Sequence, residues 1–81
     1  MPIIPLDIVH DLVKLERSVA AFVVYSFIWS QADAHGLTAS LQAIGERTGF
    51  SKSTVHKALR ILNRRNLVRS ENSVHYLVTP T

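Results

Sequence analysis

Lys52, Ser53, His56, Lys57 and Arg60 recur at intervals of three and four residues, with Arg64 one step further on. If the stretch is helical, that spacing lays all six on one side of it. These side chains are chiefly hydrogen-bond donors, four of them permanently charged. Such a surface is out of place in a core and suits an anionic partner, because lysine and arginine bind phosphate and the acceptor edges of bases. The same residues do not suit bond-breaking chemistry. The chain has no nucleophile motif, no glycine-rich phosphate loop and no close carboxylate pair, so it is not expected to be an enzyme. It has no cysteine, which removes disulfides and thiolate metal sites. His10, His35, His56 and His75 stand too far apart to form a local ligand pair, so neither metal nor cofactor is expected.

The donors need an element to hold them. Val55, Ala58, Leu59 and Leu62 alternate with them at helical spacing, which predicts a helix over residues 51–65 with one buried face and one basic face. Ser51 stands where an N-cap is wanted, its hydroxyl able to accept from a first-turn N–H. A helix start with small polar residues is a favourable place for phosphate. Upstream, Ser40 caps a shorter helix presenting Leu41, Ile44 and Gly45, and Thr48-Gly49-Phe50 reverses the chain, with Gly49 supplying the positive φ such a turn needs. Two helices joined by a short glycine-containing turn make a helix-turn-helix over residues 40–66, whose second helix can enter a DNA major groove.

The series Ser40-Leu41, Ile44, Thr48-Gly49-Phe50-Ser51, Thr54-Val55, Ala58-Leu59, Leu62 and Leu67-Val68 resembles the winged helix-turn-helix domains of bacterial transcriptional regulators and plasmid replication initiators. The resemblance covers about half the chain. Gly45 stands where that family typically has alanine, which keeps the helices close but weakens the first one by about 1 kcal/mol. Asn66 stands where glycine usually ends the recognition helix, and asparagine is the next most tolerant of a left-handed backbone. The resemblance implies a mostly α fold: a three-helix core, a short β-hairpin wing and, in this chain, an extra N-terminal helix.

Eighty-one residues, 47% of them hydrophobic, are expected to form a single domain over 1–81. Residues 1–5 are expected to be an extended lead-in and residues 6–15 a short helix carrying Ile8, Val9, Leu12, Val13 and Leu15. Residues 16–34 are expected to form the first main helix, with Val19, Phe22, Val23, Ser26, Phe27 and Ser30 along one side. Val24, Tyr25, Ile28 and Trp29 place further bulk around it, so that helix is apolar on more than one face. The excess calls for a second contact, and Phe22, Tyr25 and Trp29 are expected in the core or a dimer interface. The apolar run 19–29 is too short to span a bilayer. Leu37–Ala39 fits the brief strand before the helix-turn-helix, and residues 67–78 fit the wing, turning at Glu71-Asn72-Ser73.

Charge is distributed unevenly. Through residue 39, Asp7, Asp11, Glu16 and Asp33 outnumber Lys14 and Arg17 for a net −2; from residue 40, Arg47, Lys52, Lys57, Arg60, Arg64, Arg65 and Arg69 outnumber Glu46 and Glu71 for a net +5. The positive half coincides with the helix-turn-helix, which points to a polyanion. The expected base readers are Lys52, Ser53, His56, Lys57 and Arg60. Expected at phosphates are Thr38, Ser40, Arg47, Ser51, Thr54, Arg64, Arg65, Arg69 and His75. The expected function is sequence-specific binding of double-stranded DNA by a small cytoplasmic, nucleoid-associated regulator of bacterial, plasmid or phage origin, acting as a repressor without a small-molecule ligand. One module this small buries only about 600–1,000 Å² on DNA. A homodimer joined through the N-terminal helices is therefore expected. Two alternatives stand: the DNA-binding domain of a replication initiator, or a winged-helix protein-interaction module that does not read DNA.

Overall fold

A computed structural model of the chain describes residue 4, residues 6–33 and residues 35–78. The extended lead-in expected over 1–5 lies outside these residues apart from Ile4, as does Ala34. Among the described residues the order is helix α1 (Leu6–His10), continuing as a π-helical segment (Asp11–Leu15), then α2 (Val19–Gln31), strand β1 (Leu37–Thr38), α3 (Leu41–Thr48), α4 (Lys52–Arg64), β2 (Val68–Glu71) and β3 (Val74–Leu77). The strands form one antiparallel sheet in the order β1-β3-β2. This is a winged helix-turn-helix with an additional helix in front.

The first main helix starts later than the sequence suggests. Ser18, with φ −120° and its hydroxyl accepting from the Ala21 N–H, caps α2. Arg17, at φ 52°, breaks the chain from the preceding segment. Glu16 is thereby left outside the helix. The packing face of α2 also differs from expectation. Ala21, Val24, Tyr25 and Ile28 are buried, an i, i+3, i+4, i+7 stripe, whereas Phe22 and Phe27 are half-buried against its edges. A helix apolar all round carries no phase information, so tertiary contacts with α4 and α3 choose the stripe. Tyr25 is a core residue, its ring meeting Trp29 edge-on at a centroid distance of 5.8 Å.

The turn between α3 and α4 is built by two glycines with different tasks. Gly49 adopts φ 86° and donates its N–H to the Gly45 carbonyl, a left-handed helix end that glycine allows without strain. Gly45 is buried within α3, and a Cβ there would collide with the Phe50 carbonyl oxygen. Alanine at this position would thus displace backbone, so glycine gives up helix propensity for a closer turn. Ser40 and Ser51 cap α3 and α4 by accepting from the N–H groups of Ala43 and Thr54. Val55, Ala58, Leu59 and Leu62 face the core as their spacing predicts. Asn66, at φ 58°, ends α4 and lets the Leu67 N–H reach back to the Leu62 carbonyl.

In the wing, Asn72 and Ser73 both take positive φ, 50° and 64°, the two-residue turn whose twist matches a hairpin. Ser70 pairs with His75 and Arg69 with Tyr76. Partners directly opposite share a sheet face, and the inward face is the one holding Val68, Ser70, His75 and Leu77. Alternation read from Val74, Tyr76 and Val78 would send His75 outward; instead Tyr76 and Val78 are exposed and His75 is buried. Tyr76 lies over Gly36, where a side chain would strike its ring.

Candidate nucleic-acid interface

The outward face of α4 is where the donors gather. Lys52, Ser53, His56, Lys57 and Arg60 are all exposed, and none of the three cations makes an ion pair among the described residues. Ser51 accepts from the Thr54 N–H and lies 2.9 Å from the Thr54 hydroxyl, so both help to fix the helix tip while one hydroxyl of the pair keeps its hydrogen for a further acceptor. The helix dipole adds positive potential at that end. No carboxylate lies on this face of α4, so the donors run along its whole length uninterrupted by negative charge.

Beside this face the fold brings the wing turn and the start of α3 together. The Ala39 N–H donates to the Ser73 carbonyl at 2.9 Å, which places Thr38 and Ser40, both exposed, next to the wing tip. Between wing and α4 lies a cleft of about 300 Å³ with Ala39, Leu41 and Leu59 in its floor and His56, Arg60 and Ser73 among its walls. Ser73 and the cleft are not evident in the sequence.

Other expected phosphate ligands lie elsewhere. His75 is inside the fold, its Nε2 2.9 Å from the Ala39 carbonyl and its Nδ1 2.8 Å from the Ser70 hydroxyl, so it cannot reach DNA from the surface. Arg65 donates its Nε–H to Glu16 at 2.9 Å and holds Nη1 3.8 Å from Asp11. Its side chain is only 27% exposed, and it ties α4 to the N-terminal helix rather than standing free. Arg64 grips both oxygens of Glu16 at 2.8 Å while remaining largely exposed. The hydrogen bonds from Arg64 and then Arg65 hold the Glu16 carboxyl below its ordinary range. Arg69 pairs with Glu71 at 3.2 Å on the exposed side of the wing. Arg47 is exposed on α3.

A model of the IclR helix-turn-helix domain matches residues 29–72, just over half of the chain, from the last three residues of α2 to the first residue of the wing turn. The chain belongs to this family. No curated protein and no solved structure matches it. An IclR helix-turn-helix domain is a DNA-binding domain of bacterial transcriptional regulators, so the partner of this domain is DNA. In this IclR-type domain the matched span contains α3, α4 and β2, while the Glu16 anchor, Ser73 and β3 lie outside it. Among the described residues no group of three or more metal-binding side chains occurs. No helix among them is long and apolar enough to cross a membrane.

Proposed function

We propose that the IclR-type domain reads a specific duplex as a dimeric repressor of bacterial, plasmid or phage origin, working in the cytoplasm by occupancy. Lys52, Ser53, His56, Lys57 and Arg60 contact base edges from the major groove. Thr38, Ser40, Arg47, Ser51, Thr54 and Arg69 lie on or around the same elements and take phosphates, with Arg64 joining them when it releases Glu16. The observation that carries this reading is the exposed set of Lys52, Lys57 and Arg60 on one face of α4, without ion pairs among the described residues.

Dimerisation draws support from the N-terminal elements. Leu6, Leu15 and Val19 are 79%, 63% and 64% exposed, apolar surface that a second copy would cover. A two-fold dimer doubles a contact area too small for tight binding by one module.

The test is selection of a bound duplex from a randomised pool, followed by titration of that duplex and of the unselected pool at several salt concentrations, with sedimentation to give the mass. The reading predicts enrichment, steep weakening with salt and two chains per selected duplex. Failure to enrich any duplex would contradict sequence-specific reading, and one chain per site would contradict the dimer.

A further inference from the structure

Behind the DNA-facing side of α4, one chain of hydrogen bonds crosses three elements. His75 is 3% exposed. Its Nε2 meets the Ala39 carbonyl, which only accepts, so Nε2 carries hydrogen, and in the neutral ring Nδ1 accepts from the Ser70 hydroxyl. The Ser70 oxygen lies 3.4 Å from Asn63 Nδ2, and the Ser70 N–H donates to Asn63 Oδ1 at 3.3 Å. Asn63 Nδ2 also donates to the Leu59 carbonyl at 2.7 Å, which pins the amide to its own helix. The result is a strut from α4 through β2 and β3 to the residue before the α3 cap. No buried side-chain polar atom among the described residues lacks a partner.

His75 is buried and Asn63 and Ser70 are half-buried, and apolar side chains would fill this place without the cost of partly desolvating polar ones. A satisfied polar network adds less to stability than to uniqueness, because a changed angle between its elements breaks several of its bonds together. The strut joins the two walls of the cleft described above. Asn63, Ser70 and His75 line it, and His56, Arg60 and Ser73 are its other polar residues. No carboxylate lines it, and Arg60 makes no ion pair among the described residues.

We propose that the Asn63–Ser70–His75–Ala39 strut fixes the angle between recognition helix and wing so that the cleft seats one phosphate of the DNA backbone, bound by Arg60 and the Ser73 hydroxyl. Arg60 then serves a phosphate as well as, or instead of, a base. Asn63, Ser70 and His75 are positioning residues that act through this seat. The proposal rests on the DNA-binding reading and deepens it.

A double-mutant cycle between Ser70→Ala and Arg60→Ala tests it, using the selected duplex and the unselected pool, with thermal melting to check the fold. Each single change is expected to weaken binding to the selected duplex about tenfold and to lower the salt slope by about one, the signature of one lost phosphate. The double variant should lose no more than Arg60→Ala alone, because both remove the same contact. If the two losses multiply, or if folded Ser70→Ala binds as the wild type does, the strut is only part of the scaffold and the proposal is overturned. Should Ser70→Ala not fold, His75→Gln, which retains a donor for Ala39, enters the same cycle with the same two readings. Wild-type chain that enriches no duplex would instead overturn the DNA reading itself.

Discussion

Glycine at position 45 illustrates how one missing methyl group sets the geometry of a DNA-binding turn. Helix propensity alone favours Gly45→Ala by about 1 kcal/mol, yet the added Cβ would meet the Phe50 carbonyl, backbone that cannot swing aside. The steric term wins, and the substitution is expected to lower stability by about 1–3 kcal/mol in denaturant unfolding; a more stable variant would show that the turn has room. Glu16 offers a second test. Its folded-state pKa is lowered by Arg64 and Arg65, so its contribution is complete above the ordinary glutamate range and is lost as pH falls through the lowered value. Glu16→Gln should melt earlier at neutral pH and show a flatter decline of melting temperature toward acid. An unchanged acid decline would remove Glu16 from the account. The Gly45 clash follows from three-dimensional proximity to Phe50, and the Glu16 contact spans 48 positions of chain. Neither leaves a local sequence signal. Asn63 did leave one, as a polar residue four positions after Leu59 on the border of the apolar stripe.

At the level of elements, α4 was the most legible. Its apolar stripe and its basic face follow one period, and Ser51 marks its start, so helix, orientation and cap agree. Ser51→Ala removes the acceptor for the Thr54 N–H and is expected to cost about 1 kcal/mol of stability, measured by thermal unfolding of the free chain. No loss would mean that Ser53 or water takes over the cap. The first main helix was legible in existence but not in phase, since bulk on every side leaves the choice of buried stripe to its neighbours. The wing was legible as a hairpin, but its inward face was not. Strand alternation favours Val74 and Tyr76 for the interior, and only the Ser70 hydroxyl donor and the Ala39 carbonyl acceptor, together with the bare Gly36 beneath Tyr76, make His75 the better inward residue.

Across the whole molecule, charge and apolar surface divide the labour. The acidic N-terminal half sends Glu16 and Asp11 to the far end of α4, where they neutralise arginines distant from the helix start, while Lys52, Lys57 and Arg60 make no ion pair among the described residues. The same N-terminal half carries Leu6, Leu15 and Val19 at the surface. If a second copy covers them, Val19→Glu should shift the sedimenting mass toward the monomer and weaken binding to the selected duplex at least tenfold, with the melting curve of dilute chain little changed. A dimer that persists would place the interface elsewhere. The claim on which the rest depends is that the exposed face of α4 reads bases in the major groove. The most direct measurement is dimethyl sulfate protection of guanine N7, which lies in that groove, on the selected duplex with wild-type chain and Lys57→Ala. The account predicts two protected clusters about one helical turn apart, with Lys57→Ala losing protection at one base in each and about 1–3 kcal/mol of affinity. Tight binding with every N7 still reactive, or loss of affinity from Lys57→Ala that is equal on all sequences, would contradict it.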